Sequence, residues 1–133
     1  MNVKRKLVSA GALAAVTAAT VGAMAAPAQA AAYNGVCGSG YRVIDKLELL
    51  RGTVYLTYNG GWNCVVTVAD SGAHDSKPMA AFLKRSSDSE FVRDDDYYRY
   101  YAGPVYRYAP SQCIDWGGRI GLDSDSAWGD HCG

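Results

Sequence analysis

The side chains able to do chemistry are few and scattered. His74-Asp75 and His131 are the candidates for a general base, and nine serines after residue 30 are available as nucleophiles. Nucleophilic catalysis needs the base within hydrogen-bond reach of the nucleophile and oriented by a third group. Any chain of this composition offers such partners, and the G-x-S-x-G elbow that would single one out is missing. His74 sits in a polar stretch and reads as a solvated residue; His131, beside Cys132, reads as a packed residue near the C-terminus. Glycoside hydrolysis needs two carboxyl groups about 5–9.5 Å apart in space. The 13 Asp and Glu show no spacing that would set such a pair. Asp94-Asp95-Asp96 reads as a solvated face, or as gatekeepers beside a tyrosine-rich strand. Asp123 and Asp125 match the opening of a calcium loop, but the glycine and distal glutamate that complete one are missing. No catalytic residue, no metal ligand and no cofactor site is therefore expected.

Tyrosine and arginine are the more unusual feature. The chain has ten tyrosines and three tryptophans. Tyr97, Tyr98, Tyr100, Tyr101, Tyr106 and Tyr108 cluster with Arg99 and Arg107. Such a group suits a binding surface that stacks on sugars or meets a protein, because Tyr and Arg are favoured at contact hot spots. The plainer reading, which the composition favours, is that Tyr fits a half-exposed pleated surface. Trp116, close to Cys113, and Trp128, close to Cys132, are expected in the core against the disulfide.

Four cysteines, Cys37, Cys64, Cys113 and Cys132, follow the first thirty residues. An even count in an oxidising compartment reads as two disulfides. Three connectivities are open. The favoured one pairs Cys37 with Cys64 and Cys113 with Cys132, each bridge stapling one half of the chain and worth roughly 3 kcal/mol. A zinc site using cysteines with His74 or His131 is disfavoured, because no C-x2-C pair exists.

The elements that must position these residues are strands. Gly52 to Ala69 holds two runs of β-branched and aromatic residues around Asn59-Gly60-Gly61. Asn-Gly is a hairpin signal, because its residues tolerate the positive φ of a tight primed turn. Val54, Leu56 and Tyr58 alternate with Thr53, Tyr55 and Thr57; Trp62, Cys64, Val66 and Val68 alternate with Asn63, Val65 and Thr67. That period of two fits a sheet with one face better buried. A strand is expected over 41–45, with 46–50 continuing it or turning helical. Residues 70–77 read as a polar loop, 79–84 as a strand, and 86–96 as a loop with a short helical turn. Residues 97–101 read as a strand interrupted by Ala102-Gly103-Pro104 and resumed over 105–108, since Pro cannot donate to a ladder. Residues 113–120 read as a strand with a bulge or turn at Gly117-Gly118, followed by a polar segment over 121–126. This makes an all-β domain: a small, disulfide-stapled antiparallel sandwich or barrel of roughly six to eight short strands.

Lys4, Arg5 and Lys6 precede an uncharged apolar stretch from Leu7 to Ala26, and Ala28-Gln29-Ala30 supplies small residues for cleavage. Residues 1–30 are thus expected to be a secretory signal peptide, and 31–133 a single secreted β domain. Removing the three leading cations takes Lys and Arg from 13 to 10 against 13 Asp and Glu, a formal charge of −3. A weakly acidic chain is a poor match for nucleic acid, whose binding rests on phosphate neutralisation. No second hydrophobic segment is visible, so no membrane attachment is expected after cleavage.

The quoted residues resemble a known family. Tyr33-Asn34-Gly35, Cys37-Gly38, Gly40-Tyr41, Val43-Ile44-Asp45, Gly52-Thr53-Val54, Leu56-Thr57-Tyr58-Asn59 and Asn63-Cys64-Val65-Val66-Thr67 are similar to the spore-associated protein A family of spore-forming actinobacteria. So are Tyr101-Ala102-Gly103-Pro104-Val105-Tyr106, Cys113, Asp115-Trp116-Gly117-Gly118 and His131-Cys132-Gly133. Residues 70–96 carry no matching motif. The resemblance implies a small exported protein found with spores or aerial growth, with spore or cell-wall surface components as partners. It brings no catalytic residues.

The sequence therefore points to a secreted, extracellular, spore- or cell-surface-associated protein with a structural or interaction role and no enzymatic activity. The alternatives are a small cell-wall polysaccharide-binding module built on the Tyr/Arg cluster, and a secreted protease inhibitor presenting 109–113 as a loop pinned by Cys113.

Overall fold

Runs of β-branched and aromatic residues, joined at the edges by two more polar segments, give eight strands and no helix among residues 31–133, the part of the chain that this computed structural model describes. The expected signal peptide, residues 1–30, lies outside the described residues. The strands are β1 (Arg42–Leu49), β2 (Gly52–Asn59), β3 (Trp62–Ala69), β4 (Lys77–Arg85), β5 (Val92–Tyr98), β6 (Tyr101–Tyr108), β7 (Ile114–Ile120) and β8 (Asp123–Asp130). They form two four-stranded antiparallel sheets, ordered β1-β2-β3-β6 (sheet I) and β5-β4-β7-β8 (sheet II). The architecture is a sandwich.

The main core lies between the sheets. Val54, Leu56 and Val65 of sheet I meet Met79, Ala81, Leu83, Ile114, Trp116 and Ile120 of sheet II, and Trp116 has no exposed surface. The β2–β3 hairpin alternates as the sequence implies, but its outer face is not open. Tyr55, Cys64, Val66 and Val68 form a second buried cluster under Ala31, Tyr33, Val36, Tyr41 and Tyr106. The lead-in segment lies over sheet I and is fixed there by the Cys37–Cys64 disulfide, while Cys113–Cys132 ties the C-terminus to the start of β7. The Tyr55 hydroxyl donates to the Ala31 carbonyl, and Tyr106 donates to that of Cys37 at 2.8 Å.

Several expectations are corrected. The β2–β3 turn is centred on Gly60-Gly61 (φ 52° and 95°), and Asn59 is paired with Trp62 in the ladder rather than occupying the turn. Residues 46–49 continue β1. Residues 92–96, read as loop, join Tyr97 and Tyr98 in β5, an edge strand whose polarity disguises it. Tyr97–Tyr101 is not one strand: Arg99-Tyr100 turns the chain out of sheet II and into sheet I. Ala102-Gly103-Pro104 lies inside β6, at a bulge between the Val65↔Val105 and Thr67↔Ala102 pairs, where Pro104 owes no ladder bond. Gly117-Gly118 is neither bulge nor turn but regular β7, and the polar segment after Gly121-Leu122 is β8.

Candidate functional site

The eight residues of the Tyr/Arg cluster are divided by the strand period and by the crossing between sheets. Tyr98 packs against the main core, and its hydroxyl donates to Asp94, four residues earlier on the same β5. That hydrogen bond, with burial behind it, pushes the Tyr98 phenol up to about 12. Tyr97 alternates to the opposite face and is 67% exposed. Tyr100 stands edge-on to His74, with ring centroids 4.6 Å apart, and the Arg99 guanidinium reaches the His74 carbonyl at 3.4 Å. Asp94, Tyr98, Arg99, Tyr100, Tyr101 and Gly103 together frame a shallow pocket of about 340 Å3.

The other three residues lie elsewhere. Tyr106 belongs to the outer cluster of sheet I, edge-on to Tyr41 at 5.7 Å, where burial raises its phenol. Tyr108 leans on Trp62 at 5.4 Å. Arg107 is engaged by Asp88. The structure therefore brings Tyr98, Arg99, Tyr100 and Tyr101 into one pocket and separates Tyr106, Arg107 and Tyr108 from it.

The floor of this region is held by a buried cation. Lys77 donates to the carbonyls of Ala73, Asp75 (2.7 Å) and Arg99 (3.4 Å). Desolvation pulls its ammonium below the usual lysine range, while Asp75 opposes that shift. Buried charge is tolerated here because each proton finds an acceptor. Asp75 in turn pairs with Arg51. No hydrogen bond joins the His74 ring to a serine or carboxylate among the described residues, although its backbone carbonyl accepts from Arg99. Asp94 accepts from the Gly103 N–H as well as from Tyr98, and Asp95 pairs with Arg119 at 2.7 Å. Asp123 accepts from the Leu50 N–H, and Asp125 from the Ser126 N–H.

Sequence reasoning missed a row of aromatics on the outer face of sheet II. Phe82, Phe91 and Trp128 follow one another edge-to-face at 5.2 and 5.7 Å. Lys84 lies 5.3 Å from the Phe91 ring centre, and Arg93 5.4 Å from that of Phe82. Trp128 is 63% exposed, which overturns its expected place in the core. Trp116 is buried as expected, its indole N–H donating to Asp130 at 3.1 Å. Lys84 is anchored by Asp115 at 3.4 Å. Burial raises the Asp115 carboxyl, but donors from Gly129, Ser86 and Lys84 outweigh it and leave it below the usual range. Rings presented in this way can stack on a sugar face or a partner side chain. Residues 82, 91 and 128 share no spacing; the β4–β5, β4–β7 and β7–β8 ladders bring them together, so no local signal could have found the row.

Comparison with known proteins gives one informative likeness. The chain is 43% identical over 121 residues to "Spore-associated protein A" of Streptomyces coelicolor, a span that covers 89% of this chain and 77% of that protein. No family model matches the chain, and no solved structure matches it.

Proposed function

Because the chain belongs to the spore-associated protein A family, we propose that it is a secreted protein that works at the spore or cell-wall surface through contact rather than catalysis. The observation that carries this reading is the 43% identity, sustained over most of both chains, to a protein named for its association with spores. Two disulfides support export, since such bridges persist in oxidising compartments. The carboxylates weighed as acids or bases are held by backbone and cationic partners, which supports a structural duty for them. The partners are spore or wall surface components; the weakly acidic chain is unsuited to nucleic acid.

Fractionation of a sporulating culture tests the reading. The protein is expected on washed spores or isolated wall, released by salt. Recovery with the cytosolic fraction would refute it. A screen of peptide, ester, glycan and peptidoglycan substrates is expected to show no turnover; turnover lost on His74→Ala or His131→Ala would make the protein an enzyme.

A second reading, binding of wall polysaccharide, is favoured by exposed Trp128 beside Phe91. Retention on isolated wall polymer that is lost in Trp128→Ala distinguishes it from a purely structural role.

A further inference from the structure

Two open edges meet on one side of the sandwich: β1 of sheet I and β8 of sheet II. Asp45 projects from β1 just after a bulge at Ile44, which interrupts the pairing between Val43 and Asp45. Bulges re-aim the side chains next to them. Asp130 ends β8, and His131 follows it, fixed from the far side by the Cys113–Cys132 disulfide. The His131 Nε2 lies 2.8 Å from Asp45 Oδ2 and 3.5 Å from Asp130 Oδ2. One donor atom from each of the three residues fits within 4.8 Å of the others.

We propose that Asp45, Asp130 and His131 bind a zinc ion that clips the edge strand of sheet I to the C-terminal end of sheet II. Zinc takes imidazole nitrogen and carboxylate oxygen at about 2.0–2.2 Å, which puts tetrahedral ligand atoms about 3.3 Å apart. The present separations need only small movements to reach that. The imidazole selects a transition metal over calcium or magnesium, which prefer oxygen throughout. Asp130 also has the outer-shell partner that metal-ligating carboxylates commonly carry: the buried Trp116 indole donates to it. All three side chains are about one-third exposed (31%, 40% and 35%), so an ion has a way in. The cysteines take no part, since both pairs are in disulfides.

Titrating chelator-treated protein with Zn2+, by calorimetry and by thermal melting, tests this. A single zinc per chain and a rise in melting temperature are expected, with no rise from the same concentration of Ca2+ or Mg2+. His131→Gln should abolish both signals, Asp45→Asn should weaken binding by about tenfold or more, and His74→Ala should change neither. Absence of a zinc-dependent rise, an equal rise with Ca2+, or a rise that survives His131→Gln would overturn the site. Should His131→Gln fail to form its disulfides, Asp45→Asn decides, since unchanged binding there is equally fatal.

Discussion

Arg107 on β6 of sheet I and Asp88 in the loop after β4 of sheet II are joined by a two-pronged ion pair, Nε to Oδ2 at 2.8 Å and Nη2 to Oδ1 at 3.1 Å. Asp88 also accepts from the Arg85 N–H at 2.9 Å and its Nε at 3.0 Å. One mostly buried carboxylate thus fastens the loop to both sheets.

That carboxylate sets a dependence on pH. The Arg107 hydrogen bonds, with those of Arg85 behind them, hold Asp88 far below the usual carboxylate range. A depressed folded-state pKa contributes stability above the unfolded value, near 4, and loses it as pH falls from there toward the folded value. Asp88→Asn should cost about 1.5–3 kcal/mol at neutral pH, the scale of hydrogen bonds to charge. It should also remove part of the wild type's loss of stability below about pH 4. Denaturant melts at neutral and acid pH check both; a variant as acid-labile as the wild type would contradict the assignment.

The β2–β3 turn gives a graded series. A Cβ at Gly60 meets nothing within 4 Å, so only the left-handed φ opposes substitution. Gly60→Val should cost about 1–3 kcal/mol, and Gly60→Asn much less, because Asn tolerates that region. Gly61→Val should cost more, since its Cβ would lie 2.6 Å from the Tyr108 ring. Asn59→Ala should be mild, because Asn59 is an exposed ladder residue outside the turn. Melting temperatures of the four variants test the order.

Gly118 of sheet II lies close under Thr67 of sheet I. A Cβ there would lie 2.1 Å from Thr67 Oγ1 and 2.9 Å from the Ala80 carbonyl, two atoms that are themselves hydrogen-bonded. Gly118→Ala should therefore destabilise by about 1–3 kcal/mol or more, as overpacking does. An equilibrium denaturation curve matching wild type would show that the sheets can part without cost.

What the sequence revealed was whatever its local pattern encodes. The β2–β3 hairpin was legible because alternation and turn glycines are neighbours in the chain. Its second buried face was not, since the cover comes from residues 31–41, which carry no strand pattern. β5 was hidden because Arg93, Asp94, Asp95 and Asp96 look like loop; an edge strand can hold such charges when Arg119 and Tyr98 answer them. The turn at Arg99-Tyr100 lacks Gly or Pro, so tyrosine's strand propensity ran across it. Gly117 and Gly118 looked like punctuation, yet they are places where Phe82 and Thr67 come too close for a side chain. The Tyr/Arg cluster was visible as composition, but its division needed the crossing from sheet II to sheet I. His131 and Asp45 are 86 residues apart, a distance no motif spans.

Export to the spore surface is the central proposal. The most direct measurement is N-terminal sequencing and quantitation of the protein stripped from washed spores. The account predicts that the chain is recovered there, beginning within about two residues of Ala31 after signal cleavage. A chain confined to the cytosol and still beginning at Met1 would contradict it.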